Sequence, residues 1–317
     1  MSAPTRAAVA AVGGAPLVSA RRGRMHARRR SDLLWAAVFI APQLIGLLVF
    51  ALFPLIFGFA LSFMEWDALG TRSWIGLENY RQQLSSPEFR KALVNTIWFT
   101  VLTVPTGLGL ALLVALALNR VRGSAVYRAV YFAPVVTSSV AVAVVWQYLL
   151  SGQFGVLNAA LRGIGIANPP DWLIDTRFVL PAIALMTIWW SLGLNMVIFL
   201  AGLQNIPRTV QEAAMVDGAS KARVFWDVTL PLLSPTIFFS MVIAVISSFQ
   251  TFDQVFVLTN GGPLDASRTM VFHIYDLGFR DFTFGASSAA AVLLFIMILA
   301  VTLVQFGAQR RWVHYEA

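Results

Sequence analysis

Six stretches of this chain contain no Asp, Glu, Lys or Arg: 33–64, 92–119, 129–161, 178–207, 228–252 and 282–309. Each is longer than the roughly 20 apolar residues needed to cross the hydrocarbon of a bilayer. Backbone N–H and C=O groups in lipid must bond within the segment, so the windows must be helices rather than open strands. The chain therefore reads as an all-α integral membrane protein with six transmembrane helices. Prolines 42, 54, 105, 134 and 181 inside the windows mark kinks or helix ends.

Composition agrees and removes several alternatives. The chain is 58% hydrophobic and only 12% charged, too little charge for a soluble domain. It has no cysteine, which excludes disulfides and thiolate metal sites, and His26, His273 and His314 are too scattered to suggest a metal cluster. A net charge of +8 invites a nucleic-acid reading, but seven arginines fall within the first 30 residues, ahead of an apolar run. Basic flanks of membrane spans explain the excess, and no nucleic-acid partner is expected. The paired arginines do not make an export signal, because the apolar run behind them is far longer than the ~7 to 15 residues of a signal core.

Orientation follows from the positive-inside rule. Fifteen Lys and Arg lie in the N-terminal arm, at Arg120, Arg122 and Arg128, at Arg208, Lys221 and Arg223, and at Arg310 and Arg311, against 8 in the three alternate loops. Both termini are expected in the cytoplasm of a multi-pass inner-membrane protein. The organisation reads as a mobile basic arm over 1–32, a first transmembrane helix over 33–64, an extracytoplasmic loop over 65–91 with Trp66, Trp74 and Tyr80 at the interface, a five-helix core over 92–309, and a cytoplasmic tail over 310–317. Within the core, residues 168–172 and 258–263 carry turn signals on the outer side.

The cytoplasmic loop 205–230 is neither short nor featureless. Pro207 can open a helix at its first position, nothing interrupts Arg208 to Asp217, and Gly218 ends it. Ser220 is a candidate N-cap for a second helix over 221–228 that leads into Leu230-Pro231. Exposed small residues beside acids, with Met215 and Val216 among charges, suit docking against another protein.

Glu212-Ala213-Ala214, Gly218 after three intervening residues, and Val228-Thr229-Leu230-Pro231 beyond it resemble the EAA loop of ABC importer permeases. Val228 stands where the family usually has Ile. The run Thr259-Asn260-Gly261-Gly262-Pro263 resembles one that follows the fifth core helix in carbohydrate permeases of the maltose type. The chain lacks that subunit's extra N-terminal helices, and so is more similar to the shorter sugar and glycerol-phosphate permeases. The resemblance implies a type I permease fold, with Glu212, Ala213, Ala214, Asp217 and Gly218 in a coupling helix that docks on an ATPase. It also implies a second homologous permease, two ATPase subunits and an extracytoplasmic binding protein as partners. No cofactor is expected on this chain; ATP and magnesium belong on the ATPases.

Nothing in the chain suggests catalysis: there is no Ser/His/Asp grouping in one segment, no carboxylate pair in a window, and Gly261-Gly262 leads to Pro rather than Lys-Ser. Charge-free windows also disfavour an ion-coupled carrier, which commonly places acids in its spans, although Asp253 stands at the edge of the fifth. For a substrate path, Ser240, Ala244, Ser247, Ser248 and Thr251 recur every three or four residues and share one helix face. The same spacing serves close helix packing. The resemblance places Ala244, Ser247, Ser248 and Thr251, with Thr187, Trp190, Ser191 and Leu194 in the fourth span, where maltose-type permeases contact sugar. Asn195 and one of Trp189 and Trp190 suit the hydroxyls and C–H faces of a sugar. The expected function is permease subunit of an ATP-driven importer for a sugar or oligosaccharide; a phosphorylated polyol such as glycerol phosphate is the alternative within the class. An ion-coupled carrier or a membrane enzyme would instead act as an isolated chain.

Overall fold

The computed structural model describes residues 35–67, 70, 72–119, 121 and 123–313. The basic arm, Arg120, Arg122 and the last four residues with His314 lie outside them. The described residues form two compact units that divide after Gly58.

The first unit is most of one helix, α1 (Trp35–Leu61). It widens to π geometry over Leu48–Leu52, where Phe53 N–H reaches back five residues to Leu48 O. The next residue, Pro54, has no N–H to give. Nearly all its large apolar side chains, Phe39 and Phe50 among them, are exposed, as suits a helix in hydrocarbon.

The second unit begins with a two-stranded antiparallel hairpin, β1 (Met64–Glu65) and β2 (Ser73–Trp74), in which Met64 faces Trp74. A short helix, α2 (Glu78–Ser85), follows. Buried Asn79 donates to Ser62 O (3.0 Å) and Met64 O (2.9 Å), which fixes the hairpin on α2. The described residues of the segment 65–91 are thus a folded cap.

The long helix α3 (Pro87–Leu118) starts ahead of its apolar window because Ser86 caps it, accepting from Phe89 N–H at 3.2 Å, with Pro87 in the first turn. The Ser86 hydroxyl also donates to Glu88 and holds that exposed carboxyl below its ordinary value. The remaining helices are α4 (Ser124–Val136), α5 (Ser139–Leu149), α6 (Val156–Gly163), α7 (Val179–Asn205), α8 (Arg208–Val216), α9 (Lys221–Phe249), α10 (Asp253–Leu258), α11 (Met270–Tyr275) and α12 (Phe284–Gln309). Two apolar clusters hold them together. One joins α3, α7, α9 and α12 around Phe199 and Leu233. The other joins α3, α5, α7, α10 and α11 around Phe99, Ile183 and Phe272.

Two expectations are sharpened. The window 129–161, in which Pro134 marks a kink or helix end, is broken: α4 and α5 meet at 97°. Pro134 sits in the last turn of α4, and Thr137 and Ser138 are both extended (ψ 142° and 132°). A charge-free run reports hydrophobicity alone, and two extended residues leave it unbroken. Among the described residues five helices are long and apolar enough to cross a membrane, and counting the bent pair as one span gives six. The helix expected over 221–228 is not separate. It runs on through the fifth window to Phe249, with π geometry over Phe225–Thr229. There Thr229 Oγ1 donates to Val224 O at 3.2 Å, and the widened turn just ahead of Pro231 keeps the helix continuous.

Candidate functional site

A cavity of about 420 Å³ lies between α3, the α4–α5 bend, α7, α9 and the start of α10. All nine residues expected on the substrate path line it: Thr187, Trp190, Ser191, Leu194 and Asn195 from α7, and Ala244, Ser247, Ser248 and Thr251 from α9 and the turn after it. Ser240, on the same sequence face, is buried away from the cavity. Six further polar or small residues come from elsewhere: Thr103 and Gly107 on α3, Ser139 at the head of α5, and Gln250, Asp253 and Gln254 after α9. Polar spacing in the fifth span, with the family resemblance in the fourth, anticipated about half of the wall. The other half depends on which face of α3 turns toward α7 and on the bend, and a uniformly apolar run marks neither.

The hydroxyls are satisfied locally. Thr103 donates to Phe99 O (2.7 Å) and Thr187 to Ile183 O (2.9 Å), and Ser248 shares its one proton between Val245 O (2.8 Å) and Thr100 Oγ1 (2.9 Å). A hydroxyl that has spent its proton on its own helix keeps lone pairs for incoming O–H groups. Asn195 donates to Ser191 O at 3.3 Å, and no hydrogen bond is formed to its Oδ1 among the described residues. The wall is therefore rich in acceptors, suited to a ligand that brings hydroxyl donors.

The bend decides between the tryptophans. Trp190 lines the cavity, and its Nε1–H donates at 3.2 Å to Thr137 O, a carbonyl set free by the bend. Trp189 points away and packs on Trp146, ring centres 5.8 Å apart. Asp253 Oδ2 accepts from Ser139 Oγ. The two sides of the bend are thus pinned to α7 and α10 by cavity-lining side chains. Gly193 allows α4 to lie against α7: a Cβ there would stand 2.0 Å from Tyr131 O.

At the other end of α7, α8 has no buried residue, and Glu212, Ala213, Asp217 and Gly218 are exposed while Ala214 is half-buried. The helix starts at Arg208, with Pro207 as its N-cap. It ends in a Schellman turn: Ala219 N–H bonds Ala214 O (3.0 Å), Gly218 N–H bonds Met215 O (3.1 Å), and Gly218 has φ +85°. Ser220 then caps α9 by accepting from Arg223 N–H at 3.3 Å. Val216 is 86% exposed on this polar loop, an apolar surface that a partner protein covers well.

A further polar cluster joins the α2–α3 corner to the segment after α11. Buried Asp276 pairs with Arg268 (2.9 Å) and Arg280 (3.0 Å), and His273 bonds Gln83 at 2.9 Å. Burial, reinforced by the Arg268 charge, depresses the His273 pKa to about 4. The Asp276 carboxyl is raised, because burial outweighs its two arginines. The turn at 258–263 belongs to this region, with Asn260 (φ 51°) and Gly261 (φ 83°) both left-handed and Gly261 against the Phe272 ring.

The family described as "Binding-protein-dependent transport system inner membrane component" matches residues 104–314. This chain belongs to that family. It is 36% identical over 293 residues to the probable ABC transporter permease protein YesP of Bacillus subtilis, covering 91% of this chain and 94% of that one. It is also 36% identical over 280 residues to the sn-glycerol-3-phosphate transport system permease protein UgpA of Brucella abortus, covering 87% and 95%. Among solved structures, a bacterial ABC transporter involved in the import of the acidic polysaccharide alginate contains a chain with TM-score 0.78 and 26% identity, covering 91% of this permease and 99% of that chain. The type I permease fold and the multi-pass membrane location follow. The family consists of transport subunits rather than catalytic ones.

Proposed function

We propose that this permease carries a neutral sugar or oligosaccharide through the α3–α7–α9 cavity, driven by ATP hydrolysed on partner subunits. The observation that carries the reading is the cavity wall: serine and threonine lone pairs, Asn195 and the Trp190 ring surround it, and among the described residues no Lys, Arg or His lines it. A sugar presents hydroxyls to the first and C–H faces to the second. A phosphate or carboxylate would leave water without a compensating cation, a transfer that costs several kcal/mol. The named relatives include a glycerol-phosphate permease and an importer of an acidic polysaccharide, so substrate charge is where this chain departs from them.

The α8 turn supports docking on an ATPase that binds ATP and magnesium, with Glu212 toward a basic residue and Ala213, Ala214, Asp217 and Gly218 shaping the contact. A second permease completes the path, and an extracytoplasmic binding protein delivers the sugar; the family's dependence on a binding protein supports the latter. Both termini and α8 face the cytoplasm on the positive-inside count. ATP-dependent uptake by the reconstituted complex of neutral oligosaccharides, uronates and glycerol phosphates tests the reading. Neutral compounds are expected to be taken up; selective uptake of glycerol phosphates or uronates refutes it.

A further inference from the structure

Asp253 follows α9 by four residues and is the one ionisable side chain lining the cavity among the described residues. It is half-buried, and its Oδ2 accepts from Ser139 Oγ. That bond orients the carboxylate and leaves Oδ1 with no hydrogen-bond partner among the described residues. Gln250, the residue just after α9, and Gln254, the next residue of α10, line the same wall, and Trp190 stands across the bend. A carboxylate accepts hydrogen bonds and donates none. Its natural counterpart is a pair of neighbouring hydroxyls, and with no cation in the lining it repels any second negative charge.

We infer that Asp253 is the residue of this chain that sets the charge of what the cavity admits. It accepts from substrate hydroxyls and turns away phosphate esters and uronates. Ser139 is a positioning residue that acts through it, so the bend of the third span also serves selectivity. The inference rests on the sugar reading above but is separable from it, because a sugar path without Asp253 control is equally transportable. A second charge about 5.5 Å from Asp253, at an effective dielectric near 20, lowers affinity on the order of a hundred-fold.

The test uses the purified complex with its partner subunits and matched probes: neutral di- and trisaccharides, each compared with the same compound oxidised at a primary hydroxyl to the uronate. Calorimetric titration gives the ratio of the two dissociation constants. The wild-type complex is expected to favour the neutral member about a hundred-fold. Asp253→Asn should bring the ratio within about threefold while weakening the neutral ligand about tenfold, and Asp253→Glu should keep the preference. Ser139→Ala should reduce the preference to an intermediate ratio. An unchanged ratio in Asp253→Asn overturns the inference. So does a wild-type preference for the uronate, which needs no variant to assemble. Binding of neither member of any pair removes the sugar reading itself, and this inference with it.

Discussion

Replacing Gly193 by Ala adds one methyl group where two helix backbones touch. Its Cβ would lie 2.0 Å from Tyr131 O, 2.7 Å from the carbonyl carbon and 2.8 Å from Phe132 Cα. Carbon contacts are comfortable only from about 3.5 Å, so α4 and α7 must part by more than ~1 Å. The neighbours are backbone atoms, which cannot rotate aside as a side chain does. Overpacking of this kind costs about 1–3 kcal/mol. It also stretches the Trp190–Thr137 hydrogen bond, now 3.2 Å, beyond useful length, a further loss of about 1 kcal/mol. Thermal unfolding of the detergent-purified complex should fall by several degrees, and uptake in vesicles by at least tenfold. Gly107→Ala is the stability control, since its Cβ would meet Ile188 at an ordinary 3.7 Å and a helical Gly→Ala change is neutral or stabilising there. A Gly193→Ala complex as stable as that control, with normal uptake, would show that close helix approach does not hold the bend in place.

Three other outcomes are expected. Gly218→Val should uncouple ATP hydrolysis from transport while leaving insertion normal, because a β-branched residue is strained at φ +85°; Gly218→Asn should retain much of the coupling, since a Cβ meets nothing within 4 Å, and equal loss in both would point to another cause. Ser248→Leu should abolish uptake without loss of membrane insertion, because Ser248 is buried at the cavity wall against Thr100; unchanged uptake would remove that wall from the path. The folded state holds His273 neutral, with a pKa lowered from 6.5 to about 4, so its contribution to stability is fully present above pH ~6.5 and lost as pH falls toward 4. Unfolding followed between pH 7 and 4 should show a shallower decline in His273→Gln, and parallel curves would refute the assignment.

Much of this was legible in the chain, for identifiable reasons. A span announces itself by excluding charge, so each long helix was found, although the fifth begins at Lys221, seven residues ahead of its window. Gly218 and Ser220 announce themselves because a left-handed turn and an N-cap each demand particular residues. Ala244 to Thr251 were legible as small and polar residues at helical spacing in the fifth span, whereas Thr187, Trp190, Ser191 and Leu194 came from the family resemblance. Pro134 marked a kink or helix end in the third window, but the sharp bend at Thr137–Ser138 was not legible, since extended backbone inside an apolar run changes no composition. The parts that depend on the bend were hidden with it: Ser139, the Trp190 partner, and Asp253 as a wall residue rather than a loop acid. Thr103 and Gly107 were likewise silent, because only packing against α7 selects their face of α3.

The chain has no native cysteine, so a single introduced thiol reports on one position without background. Ser247→Cys places it on the cavity wall, and Phe239→Cys places a control on an exposed position of the same helix outside the lining. The rate of labelling by a water-soluble thiol reagent would be measured in the reconstituted complex, with and without a transported neutral oligosaccharide. The account expects the sugar to slow labelling at position 247 several-fold and to leave position 239 unaffected. Equal rates with and without sugar at position 247, in a complex that transports it, would contradict the claim that this cavity is the path.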